Sequence, residues 1–146
     1  TVVLDGVTTG VGGEAQGDRL VSIEVVIGSG LDDSITGSIA NETLQGGNGN
    51  DTLVGGGGAD SLDGGAGTDL ASYAANSVAI NASFASGSLV ITGGDANGDA
   101  FTSIEGVIAT GQNDTLTGGT GNEYFDGGAG NDTIFGAGGI DSILNA

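Results

Sequence analysis

Apolar residues recur along this chain every nine positions. Ile35, Leu44, Leu53, Leu62 and Ala71 form one such series, and Leu116, Phe125, Ile134 and Ile143 form another. Polar or small residues flank each of them, and glycines fill the space to the next. A period of nine fits neither an amphipathic helix nor one long alternating strand. It predicts short strands with an inward apolar residue at the centre, joined by tight glycine turns. Further strands are expected where Val, Ile and Leu recur at short intervals, at 78–80, 89–91 and 104–108. No apolar pattern at helical spacing runs for ten residues, so almost no helix is expected.

The polar positions are as regular as the apolar ones. At 46–72 the chain reads GGNGNDTLV, GGGGADSLD, GGAGTDLAS without a gap. Weaker copies keep the phase upstream (GSGLDDSIT, 28–36; GSIANETLQ, 37–45) and downstream (ATGQNDTLT, 109–117; GGTGNEYFD, 118–126; GGAGNDTIF, 127–135; GAGGIDSIL, 136–144). The sixth position is always acidic: Asp33, Glu42, Asp51, Asp60, Asp69, Asp114, Glu123, Asp132 and Asp141. Each unit thus couples a glycine turn, which can adopt positive φ, to a hard carboxylate oxygen and a strand residue.

A longer period overlies the short one. Shifting 17–65 by 81 residues lays it on 98–146 with 24 of 49 positions identical. Because 81 is nine times nine, the intervening segment 73–108 has the length of four nonapeptides. It is expected to be solenoid rather than a flexible tether. The resulting division is 1–27 as the end of an earlier connecting segment, 28–72 as the first block, 73–108 as connecting coils and 109–146 as the second block. Small residues and six aromatics predict a narrow ladder of stacked aliphatics rather than a wide core.

Charge selects among functions. Nineteen acids face the single Arg19, a formal net charge of −18. Such a chain repels nucleic acid and anionic membrane surfaces and attracts divalent cations. No apolar run reaches membrane-spanning length, so membrane insertion is not expected. The chain opens without a basic-then-apolar leader, and any targeting signal is expected to lie outside it. With no His or Cys there is no zincin motif, no Ser-His-Asp triad and no thiol nucleophile. A carboxylate-pair glycosidase would need an aromatic-lined cleft, for which there is no Trp and few other rings. Arg19 is expected to pair with a neighbouring acid, and Tyr73 and Tyr124 to serve in packing.

In GGxGxD units and in the connecting pattern GDRLVSIE/GDAFTSIE, the chain resembles the RTX family of secreted bacterial proteins, including the C-terminal regions of serralysin-type proteases, mannuronan epimerases and large adhesins. The resemblance implies an all-β, right-handed parallel β-roll with two nonapeptides per coil. It further implies acid columns Asp33–Asp51–Asp69, Glu42–Asp60, Asp114–Asp132 and Glu123–Asp141, with Ca²⁺ held between stacked turns. The implied ligands are the carboxylates of Asp33, Asp51, Asp60, Asp69, Asp114, Asp132 and Asp141. Backbone carbonyls join them, at Gly46, Asn48, Asn50, Gly55, Gly57, Gly64, Ala66, Gly127, Ala129 and Asn131. Glu42 and Glu123, one methylene longer, are weaker candidates, and the turn at 37–45 lacks the glycines replaced by Ser38 and Ala40. Asp141 has no later turn above it, so its site should be incomplete.

Asp18/Glu24 and Asp99/Glu105 recur at one spacing in the connecting segments. They are either a further calcium site or a hydrogen-bonded closure of the coil. Asp95, Asn97 and Asp99 resemble the start of an EF-hand loop, but Ala100 stands where its glycine belongs and Glu105 falls one residue early, which excludes that reading. A Thr/Asn row for binding ice would need several turns like Thr120/Asn122, and only that one qualifies. The expected function is therefore a non-catalytic, calcium-folded structural module, secreted or at the cell surface, which the resemblance assigns to type I secretion. It would build an extracellular assembly through neighbouring repeats or end-to-end self-association. The alternative is a stability and secretion module beside a catalytic domain.

Overall fold

The computed structural model describes Val2–Val3 and residues 22–144. Its strands are β1 (Val2–Val3), β2 (Val25–Ile27), β3 (Ser34–Thr36), β4 (Thr43–Asn48), β5 (Thr52–Val54), β6 (Ser61–Ala66), β7 (Leu70–Ser72), β8 (Asn81–Ser83), β9 (Val90–Thr92), β10 (Ala100–Thr102), β11 (Gly106–Ile108), β12 (Thr115–Thr117), β13 (Tyr124–Asp126), β14 (Thr133–Phe135) and β15 (Ser142–Leu144). A single 3-10 turn, Gly94–Ala96, is the helical content of the described residues. Most strands occupy only the last three positions of a nonapeptide, because the glycine turns leave no room for more.

Two nonapeptides make one coil. Ser34 pairs with Thr52 and Thr43 with Ser61, each eighteen residues apart and parallel. Odd and even repeats thereby stack on opposite faces of a roll. One face is a seven-stranded sheet in the order β1-β3-β5-β7-β11-β13-β15, and the other is divided into β10-β6-β4-β2 and β14-β12-β8-β9. Among the described residues only β8 and β9 pair antiparallel. Side chains alternate, so the eighth residue of each repeat points inward. Ile35, Leu44, Leu53, Leu62, Ala71, Leu116 and Phe125 are buried in one continuous cluster. Ile134 is only partly buried and Ile143 is 52% exposed, so the ladder thins toward the last coil.

The connecting segment joins the two blocks by an irregular route. After β7 the chain forms β8, which pairs with β12, a strand reached only later. It doubles back through β9, lays β10 on β6, and returns as β11 between β7 and β13. Its 36 residues therefore advance the seven-stranded sheet by one strand, where the nonapeptide phase alone allows two. The offsets explain why. From Leu70 to Gly106 is 36 residues and in phase, but Ser61 to Ala100 is 39 and Asn81 to Thr115 is 34. The larger side chains here pack around themselves: Tyr73 meets Phe101 edge-on at 6.5 Å, and Phe84 meets Phe125 at 5.9 Å.

Candidate metal centre

The stacked turns set the acids one above another. In each stacked pair the sixth-position carboxylate of the later turn uses one oxygen to accept the backbone N–H of the acid one coil earlier. Asp33 N–H donates to Asp51 Oδ1 at 2.7 Å, Asp51 N–H to Asp69 Oδ1 at 2.8 Å, and Glu42 N–H to Asp60 Oδ1 at 2.8 Å. In the second block Asp114 N–H donates to Asp132 Oδ1 at 2.9 Å and Glu123 N–H to Asp141 Oδ1 at 3.0 Å. The structure thus brings together all four acid columns that the resemblance implies.

The second oxygen of these carboxylates is the chemically telling one. Oδ2 of Asp51, Asp60, Asp69 and Asp132 is buried without any hydrogen-bond partner. Asp51, Asp60 and Asp69 are themselves only 1%, 2% and 0% exposed. Burying a carboxylate oxygen unpaired costs several kcal/mol, about the effective penalty for an uncompensated ion. Such an oxygen calls for a cation, and the surroundings are made of oxygen. A Cβ placed on Gly46 would lie 2.2 Å from Asp51 Oδ2 and 2.6 Å from the Gly64 carbonyl oxygen. One placed on Gly64 would lie 2.6 Å from Asp69 Oδ2 and 2.1 Å from the Ser103 carbonyl. Only glycine leaves these positions clear.

The turns themselves require positive φ. Gly47 (113°), Gly49 (117°), Gly56 (94°), Gly58 (120°), Gly65 (100°) and Gly67 (149°) all take it in the first block. The carbonyls of Gly55, Gly57, Asn48, Asn50 and Ala66, and those of Gly127, Ala129 and Asn131, belong to turns of this kind. Among the described residues no three acidic side chains converge on one point. The donor set is therefore rich in carbonyls and poor in charge, oxygen throughout, which matches Ca²⁺ better than softer metals.

The connecting acids continue the columns. Asp60 N–H donates to Asp99 Oδ1 and Asp69 N–H to Glu105 Oε2, both at 2.9 Å, replacing the next repeat's acid in each case. Asp99 also accepts the Tyr73 hydroxyl at 2.6 Å. Sequence reasoning assigns Tyr73 to packing alone and misses this bond, since 26 residues separate the two and no repeat relates them. Glu24 is exposed, with its carbonyl accepting the Thr43 N–H. Asp18 lies outside the described residues, as does Arg19.

Crowding shows in the acid strengths. Burial raises Asp60 from 3.8 to about 6; the Glu42 N–H opposes the shift, and the charges of Asp99 and Glu42 add to it. Burial likewise raises Asp69 and Asp99. The Tyr73 phenol is pushed above its ordinary value by burial and by its bond to Asp99.

A family model for the RTX calcium-binding nonapeptide repeat matches the chain in four copies, over 36–71 and 108–143. No match was found among curated proteins. Both matched stretches coincide with the acid columns, one in each block, and repeats of this kind bind Ca²⁺. The chain belongs to the RTX calcium-binding nonapeptide-repeat family.

Proposed function

We propose that this chain is a non-catalytic structural module of a secreted bacterial protein, folded by calcium and used as a building block of an extracellular assembly. The observation that carries the reading is the set of buried carboxylate oxygens left without partners in the acid columns. Calcium is held between stacked turns by Asp51, Asp60, Asp69, Asp132 and Asp141 together with turn carbonyls. The two blocks, 28–72 and 109–146, carry these sites, and 73–108 is the structural bridge between them. The 81-residue self-similarity supports a tandem array of such units.

Electrostatics makes metal and fold one event. Carboxylates one strand spacing apart, roughly 5 Å, repel by about 0.8 kcal/mol in bulk water and about 3 kcal/mol at an effective dielectric near 20. That repulsion grows with every coil. A divalent cation between the turns replaces it with attraction, so binding free energy becomes folding free energy.

Circular dichroism tests the reading. A β spectrum is expected in millimolar Ca²⁺ and a largely disordered one in EGTA, with Mg²⁺ a poor substitute because it demands a tighter octahedral shell. A β spectrum unchanged by chelator would refute it.

A further inference from the structure

The acid turns are of two kinds, and their order within the columns is regular. In the turns at 46, 55, 64 and 127, positions two and four are left-handed glycines: Gly47 and Gly49, Gly56 and Gly58, Gly65 and Gly67, Gly128 and Gly130. These are the four turns whose acid keeps a buried, unpartnered Oδ2. The turn at 136 shares the conformation, through Ala137 at φ 67° and Gly139 at 102°. The other four turns are closed on their own acid. Ser29 donates its N–H (2.6 Å) and hydroxyl (2.8 Å) to Asp33 Oδ2. Ser38 donates both groups to Glu42, and Thr110 donates its N–H (2.8 Å) and hydroxyl to Asp114. At Glu123 the longer side chain reaches the N–H groups of Gly119 and Gly121, both at 3.1 Å.

Every closed turn is the first described nonapeptide turn of its column, and every later nonapeptide turn is open. We infer that the turns at 28, 37, 109 and 118 are metal-independent caps whose acids are not calcium ligands, and that calcium is taken on the acids of the five open turns. The inference rests on the calcium reading above and specifies which of its sites are filled. A carboxylate oxygen holding two donors has its desolvation offset by charge-assisted hydrogen bonds, which a metal would have to break. Ser or Thr at position two acts twice: its Cβ disfavours the left-handed turn, and its hydroxyl supplies the donor that replaces the ion. Five open turns also match the five stacked pairs, 28/46, 46/64, 37/55, 109/127 and 118/136. Of these, 46/64 alone has an open turn on both levels. It should be the tightest site.

Native mass spectrometry and calcium titration of the whole chain test this with Asn substitutions, which keep the Oδ1 acceptor. Asp60→Asn and Asp69→Asn should each lose one ion and raise the calcium midpoint tenfold or more. Asp33→Asn and Asp114→Asn should keep the native ion count and shift the midpoint less than about threefold. Loss of an ion in Asp33→Asn or Asp114→Asn would overturn the inference while leaving calcium folding intact. A native chain that binds no calcium would overturn the underlying reading instead. Should any variant fail to fold in saturating calcium, a calcium-loaded structure of the native chain decides: an Asp33 or Asp114 carboxylate in an ion's coordination shell refutes the cap.

Discussion

At the scale of the residue, this protein is built from carboxylates that cost stability until a cation reaches them. Asp60 makes the point quantitatively, since burial lifts it to about 6 from an unfolded value near 3.8. The sign follows from proton linkage. Between these values Asp60 in the metal-free roll binds more protons than in the unfolded chain, so its contribution to stability is most favourable below pH 4 and falls as pH rises to 6. Calcium requires the carboxylate, so the loaded form behaves in the opposite sense. Circular dichroism in chelator should therefore show more residual β structure at pH 4.5 than at pH 7, while the calcium midpoint should rise as pH is lowered from 7 to 5. Asp60→Asn should weaken both trends, and equal pH dependence in the variant would assign the effect to net charge alone.

At the scale of the element, a three-residue strand contributes one inward side chain, and its worth depends on whether a coil lies on both sides. Leu53 in β5 is fully buried between β3 and β7, whereas Ile143 in β15 is half exposed at the edge of the sheet. Leu53→Ala should cost about 2–5 kcal/mol of calcium-loaded stability, and Ile143→Ala less than about 1 kcal/mol. Urea unfolding in saturating calcium measures both, and equal losses would mean the ladder is not the core. Strand positions within the two blocks were legible because each rests on a local nine-residue rule repeated many times. Coil length and acid columns came instead from the family resemblance, since a period of nine does not say how many repeats close a coil. In the bridge, the strand expected near 78–80 lies instead at Asn81–Ser83. Ile80 shows where that legibility ends. It occupies the place under Asp114 that an acid holds elsewhere, donating its N–H to Asp114 Oδ1 at 2.7 Å, yet it lies 34 residues away instead of 36. Nothing local encodes that two-residue slip; it follows from the β8–β9 reversal and the packing of Phe84 on Phe125. The hydroxyl closure at Ser29, Ser38 and Thr110 is written in the sequence as a Ser or Thr at the second position, where the glycine pattern registers only a missing glycine.

At the scale of the whole molecule, the long period and the coil length do not divide evenly. A copy of 81 residues is an odd multiple of nine, while a coil takes eighteen, so corresponding repeats of the two copies fall on opposite faces. β4 lies in a four-stranded sheet, and its counterpart β13 lies in the seven-stranded one. The irregular segment between them must therefore join two blocks turned half a coil relative to each other. It does so while keeping one sheet unbroken, because β11 pairs with β7 of the first block and β13 of the second. Asp99 and Glu105 add hydrogen bonds to the first block from the same segment, and β8 pairs with β12 of the second. A tether would lack all of these. With calcium bound, the two blocks should unfold as one cooperative unit, and amide exchange should be slow at 106–108 and 81–83 as well as within the blocks. Only the exposed hairpin turn near Gly87 should exchange quickly. Rapid exchange throughout 73–108 beside two separately protected blocks would mean that the bridge carries no cooperativity, and the protein would then behave as two short rolls on a string.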